Sequence, residues 1–180
     1  HGADPNTIAA NGCSLVMRAI CSIDSVRLEM LIKAGADVDR LDKMEHLLRQ
    51  AFLQNFRYLV EALLKAGADC KWVDSKGMSA IGYAYETRYT KSYDLLIEHG
   101  ADVNFVFPDS GETILSRAIR DGQFSLARLL LEHGADANAY DAQKFSSPLK
   151  YGVLSGDVEL VRRLLDSGAR YDISVLMGYQ

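Results

Sequence analysis

The chain has 180 residues, 48% of them apolar, and a formal net charge of −4 with an isoelectric point near 5.5. That balance speaks against a nucleic-acid binder, which presents a basic face and a high isoelectric point. No apolar run approaches the roughly 18 residues that a membrane-spanning helix needs. Three cysteines, Cys13, Cys21 and Cys70, form neither a disulfide framework nor a CxxC metal spacing. They read as reduced thiols of an intracellular protein, cytoplasmic or nuclear.

One stretch keeps returning, a leucine-rich run that ends in Gly-Ala-Asp. It reads LIKAGADVD at 31–39, LLKAGADCK at 63–71, LIEHGADVN at 96–104, LLEHGADAN at 130–138 and, degraded, LLDSGARYD at 164–172. The end of a further copy opens the chain as HGADPN. The glycines Gly2, Gly35, Gly67, Gly100, Gly134 and Gly168 are 33, 32, 33, 34 and 34 residues apart. A fixed period of that length is the signature of stacked repeats, each packed on its neighbours. Repeats at 6–35, 36–67, 68–100, 101–134 and 135–168 are expected, with partial ones at 1–5 and 169–180. Residues 1–180 read as a single array, an excerpt of a longer one.

Each repeat should hold two helices. In the first, Ser14 is placed to cap a helix over Ser14–Cys21, and Ser25–Lys33 forms the second. The second repeat is the irregular one: a residue short, with Lys43-Met44 where a turn glycine is expected and a distorted finger predicted around Arg40–Glu45. Its second helix is clear, because Leu59, Val60, Leu63 and Leu64 share one helical face. In the third repeat Asp74-Ser75-Lys76-Gly77 makes a turn and Ser79 caps a helix through Tyr85. In the fourth, Thr113 precedes a helix over Ile114–Ile119 that Asp121-Gly122 breaks, and Leu126, Leu129, Leu130 and Leu131 mark the next. In the fifth, Ser147-Pro148-Leu149 starts a helix with proline at its tolerated first position, and Leu160, Val161, Leu164 and Leu165 follow.

These pieces resemble the ankyrin repeat family, whose motif runs D-x-x-G-x-T-P-L-H-x-A-A-x-x-G, then an aliphatic helix, then G-A-D-x-N. The resemblance rests on 74–79, Gly111-Glu112-Thr113-Ile114-Leu115, Ser147-Pro148-Leu149 and the Gly-Ala-Asp series. It implies an all-α ankyrin-repeat solenoid of five stacked helix-turn-helix units with finger loops. The departures are specific. The histidine of the family tetrapeptide is replaced by Met17, Arg49, Gly82, Ser116 and Lys150, and the inter-helix glycine survives only as Gly122 and Gly156. Ile23, Asn55 and Arg88 stand there in the first three repeats, and only asparagine among them takes a left-handed conformation at low cost.

Catalytic chemistry is hard to find. His99 and His133 are equivalent residues one repeat apart, and helices 8–10 Å apart are too distant to share one metal ion at about 2 Å. Asp4, Asp37, Asp69, Asp102 and Asp136 recur with the period, so each is expected to bond backbone amides of its own turn. No phosphate loop or nucleophile elbow is present. The chain therefore reads as no enzyme, with no cofactor and no metal. Asn104, in a Leu…Asp-Val-Asn context, resembles the asparagines that are hydroxylated in animal ankyrin repeats, although the fold needs the same residues.

The resemblance implies a non-enzymatic protein-interaction scaffold that binds a protein or peptide partner; the chain itself is expected to be monomeric. Partners of the family dock on the concave face. In this sequence its finger positions include Ile8, Leu41, Trp72, Val73, Met78, Phe105, Val106, Phe107, Tyr140 and Phe145. Its first-helix positions include Cys21, Leu53, Glu86, Arg120, Asp121 and Leu154. Trp72, Val73, Met78, Phe105, Val106 and Phe107 are expected to form one exposed patch, with Tyr140, Phe145, Glu86 and Arg120 beside it. The competing placement tucks Trp72 and Phe105 under the fingers. The alternative function is an array that recruits or regulates for an attached catalytic, channel or effector domain.

Overall fold

Gly-Ala-Asp closes a helix because glycine enters the left-handed region that other residues avoid. Gly100 has φ of 85°; its N–H donates to the Ile97 carbonyl at 3.0 Å, and that of Ala101 donates to Leu96 at 2.8 Å. The same pair of bonds recurs at Gly35, Gly134 and Gly168, so the sequence period is a period of helix ends. The computed structural model describes residues 4–10, 12–22, 24–37, 47–65, 68–139 and 147–170.

Among the described residues there are ten α-helices and no strand, in five pairs. They are α1 (Leu15–Cys21) and α2 (Ser25–Lys33), α3 (Leu47–Leu53) and α4 (Arg57–Lys65), α5 (Ala80–Glu86) and α6 (Tyr93–Glu98), α7 (Ile114–Arg120) and α8 (Phe124–Glu132), and α9 (Pro148–Ser155) and α10 (Val158–Asp166). The all-α repeat architecture expected from the period is thus present. A 3-10 turn at Thr90–Ser92 leads into α6. The finger of the second repeat around Arg40–Glu45, Leu41, Tyr140, Phe145, Ile23 and the segment 171–180 lie outside the described residues.

The starts of the first helices are capped as their sequences suggest. Ser14 accepts from the Met17 amide at 3.0 Å, Ser79 from Gly82 at 3.3 Å, Thr113 from Ser116 at 3.2 Å and Ser147 from Lys150 at 3.3 Å. Between paired helices, Asn55 and Arg88 take the left-handed conformation, with φ of 55° and 53°, as Gly122 and Gly156 do. The turn geometry of the family survives without its glycine, at the cost of placing an arginine where L-residues are strained.

The chain forms two compact bodies, His1–Trp72 with Tyr83–Ala101, and Val73–Gly82 with Asp102–Gln180. In the first, α1 packs on α2, α3 on α4, and α4 on both α2 and α6. In the second, α7 packs on α8 and α9 on α10, while α7 meets α9 and α8 meets α10. Within the second body first helix stacks on first and second on second, and in the first body the second helices α2, α4 and α6 stack in order. The second-helix leucines form the core: Leu63, Leu64 and Leu96 of the first body and Leu130, Leu160 and Leu164 of the second are fully buried. α9 and α10 approach closely at Gly152, where a Cβ would stand 2.8 Å from Leu164 Cδ1.

Candidate functional site

The fingers of the first, third and fourth repeats are short extended ribbons, and extended chain sends successive side chains to opposite faces. In the third finger Val73 bridges to Ser79, and in the fourth Val106 bridges to Thr113. The turn of the third is closed by Asp74, whose Oδ1 accepts from the Lys76 and Met78 amides at 2.8 and 2.9 Å. In the fourth, the Phe107 amide donates to the Glu112 carbonyl at 2.9 Å, and Gly111 donates back to Phe107 at 2.8 Å. The two fingers adjoin, since a Cβ on Gly77 would lie 3.2 Å from Pro108 Cβ.

This alternation corrects the six-residue exposed patch. Trp72, Phe105 and Phe107 are only 8%, 5% and 1% exposed, whereas Val73 and Val106 are 60% and 49% exposed and Met78 is half-buried. These two fingers turn their aromatic positions inward and the valine between or beside them outward. Trp72 lies 6.0 Å from the Tyr83 ring, centroid to centroid. Phe105 meets Phe107 edge to face at 5.0 Å, and its ring covers Gly82 so closely that a Cβ there would stand 2.7 Å from Phe105 Cε1. Gly82, at the position of the family histidine, is thus the space that the Phe105 ring fills. Truncating Trp72 or Phe107 removes core, not docking surface.

Ile8 and Leu53 in the first body, and Val153 and Leu154 of α9 in the second, are also exposed apolar groups. Trp72 and Glu86 belong to the first body; Val73, Met78, Phe105, Val106, Phe107 and Arg120 belong to the second. Glu86 is exposed. Arg120 is partly exposed but committed: it binds Glu112 through Nη1 and Asp121 through Nε, the latter at 2.9 Å.

That contact belongs to an ionic cluster that sequence reasoning missed. Glu112, 1% exposed at its side chain, also meets Arg117 Nε at 3.4 Å. Arg117 Nη2 donates to both oxygens of Asp109, at 2.8 and 3.0 Å, and to Ser110 Oγ at 2.7 Å. Its guanidinium carbon sits 3.8 Å from the centre of the Phe107 ring. Burial alone would raise the Asp109 carboxyl; the hydrogen bond and charge of Arg117 outweigh it and hold it below the usual carboxylate range. The available signal was a glutamate ending the finger, followed on the helix by two arginines three residues apart.

The recurring polar residues are structural. Asp4, Asp69, Asp102 and Asp136 each accept the amide two residues on, at 2.8 to 2.9 Å, as expected. The asparagines then join one repeat to the next, a role the sequence reading did not assign. Asn6 Oδ1 accepts from the Asp37 amide, Asn104 Oδ1 from Asp136 and Asn138 Oδ1 from Arg170, each at 2.7 Å. The amide oxygen of Asn104 is engaged in this ladder. Among the described residues, no three His, Cys, Asp or Glu side chains stand together where they could hold a metal ion, and no helix is long and apolar enough to cross a membrane.

Comparison with known proteins agrees with this architecture. A family model described as ankyrin repeats (3 copies) matches residues 47–141 and again 109–175. No curated protein matches the chain. A solved structure, an ankyrin repeat domain from Acinetobacter baumannii AYE, superposes with a TM-score of 0.70 at 28% identity, covering 94% of this chain and 89% of that one. Ankyrin repeats are a general protein–protein interaction module, typically without catalytic activity. With its period, its helix pairs and the matched span in agreement, this chain belongs to the ankyrin repeat family.

Proposed function

We propose that this chain is a non-enzymatic protein-binding scaffold whose docking surface is the outward edge of the third and fourth fingers. Val73 and Val106 are its apolar contacts, with Pro108 in the fourth finger and Arg120, bound to Glu112 of that finger, beside them. The observation that carries this reading is the exposure of two β-branched residues at equivalent places on adjoining fingers, each above a buried aromatic base. Exposed valine at 60% and 49% adds nothing to the core, while a partner covering it removes apolar surface from water. The negative net charge favours a protein or peptide over nucleic acid.

The test compares three forms of the chain in affinity capture followed by calorimetry. Val73→Asp with Val106→Asp should lose the partners that the parent captures, with each valine worth about 2 kcal/mol if it is a hot spot. Val26→Asp, on the exposed side of α2, is the control and should retain them. Retention by the double variant, or equal loss by the control, would refute the surface.

A further inference from the structure

A glutamate in a surface finger is ordinarily solvated; Glu112 is not. Its side chain is 1% exposed, and its two oxygens are taken by two different arginines of the helix that follows, Arg117 and Arg120. Arg117 in turn reaches back over the finger to Asp109 and Ser110, with its guanidinium carbon 3.8 Å from the centre of the Phe107 ring. Every one of these contacts joins residues 107–112 of the fourth finger to α7. The third finger is closed by a shorter pair of backbone bonds, from the Asp74 amide to the Met78 carbonyl at 2.9 Å and from the Gly77 amide to the Asp74 carbonyl at 3.0 Å. In the fourth finger, backbone closure is joined by a fastening made of charge.

We propose that Glu112 is an ionic latch that clamps the fourth finger to α7, so that the finger opens or closes as one element while the helical core stays folded. A buried carboxylate between guanidinium groups is stable only while fully partnered, because removing one member strands the opposite charge away from water. Of the two carboxylates that meet Arg117, Glu112 is buried and Asp109 is exposed, so neutralising Glu112 takes the buried one away. The leucine core does not share this dependence. Closed, the finger holds Val106 and Pro108 in one fixed edge; open, it does not. That consequence rests on the docking reading above, but the latch is testable without a partner.

The measurement is residue-resolved amide hydrogen exchange on the whole chain. The reporters are the amides of Phe107, Gly111 and Ile114, which close the finger at 2.9, 2.8 and 2.8 Å. In Glu112→Gln these three should exchange at least about tenfold faster, while amides within α8 and α10 change by less than about twofold. Unchanged finger exchange, or equal acceleration in α8 and α10, overturns the proposal; the latter would make Glu112 an ordinary contributor to global stability. Should that variant fail to fold, Asp109→Asn decides, because its carboxylate is largely exposed and it removes only the outer bonds to Arg117. It should speed the same three amides about threefold or more, and an unaltered finger overturns the latch. If the latch passes while Val73→Asp with Val106→Asp leaves binding intact, the docking reading fails and the latch stands.

Discussion

Leu130→Ala is the most direct probe of how the repeats hold together. Leu130 is 0% exposed on α8, and α8 packs on both α7 and α10, so the space it leaves is walled on two sides by helices. Its carbonyl also receives the Ala135 amide at 2.9 Å, which ties the helix end in place and limits collapse. The deletion removes three carbons, about 2.4 kcal/mol at roughly 0.8 kcal/mol each. A cavity that cannot close adds about 24 cal/mol per Å³, so the total should fall at about 3–4 kcal/mol. Leu165→Ala, the same deletion at a half-exposed site on α10, should cost under about 1 kcal/mol. Urea denaturation followed by far-ultraviolet circular dichroism reads both. With a slope of about 2 kcal/mol per M, the midpoint of Leu130→Ala should drop by about 1.5–2 M. If it moved no more than that of Leu165→Ala, the leucine ladder would not be the core. A fall in slope at an unmoved midpoint would mean instead that the repeats uncouple there.

Two further outcomes follow from particular side chains. Arg88→Gly should stabilise the fold by about 0.5–1 kcal/mol, since relief of a left-handed arginine, about 1–2 kcal/mol, exceeds the extra freedom glycine gains in the unfolded chain; Arg88→Ala should bring no gain, and thermal melting separates the two. Tyr93→Phe should leave the fold intact or raise its melting point by about 2–4 °C, because the buried hydroxyl has no hydrogen-bond partner among the described residues and costs about 1 kcal/mol where it stands; a lower melting point would show that the hydroxyl is satisfied.

The helices were legible because their signals are local. The limits Ser25–Lys33, the caps Ser14, Ser79, Thr113 and Ser147, and the leucines of α4, α8 and α10 all follow from residues within one or two turns. What the sequence hid depends on the neighbouring repeat. Arg88 looks like a poor turn residue, but the next residue, Tyr89, is buried and donates to Glu61 at 2.7 Å from across the first body. That long-range anchoring offsets the local strain. The asparagine ladder escaped notice for the same reason: each bond spans 31 or 32 residues. Glu112 was hidden by its context, since a charged residue in a finger reads as solvated until two arginines from α7 are placed against it.

The error over the aromatic residues bears on what kind of interface the fingers can make. Phe-Val-Phe looks like three hydrophobic contacts, but the bridge at Val106 fixes the alternation and gives two of the three to the protein itself. A stable interface takes about 800 Å² from each partner, and two outward valines supply a small part of it. The remainder has to come from polar surface beside them: Lys76 in the third finger, Asp109 in the fourth, and Arg120 with Asp121 at the end of α7. Such an interface is selective through charge placement more than tight through apolar area. The buried rings contribute by stiffness, since a finger whose base is packed and latched loses little freedom when a partner binds, and cutting that ordering cost raises affinity without adding contacts. On the docking surface proposed here the buried aromatic residues would act on binding from beneath, and their substitution would weaken a partner only by loosening the finger that carries Val106.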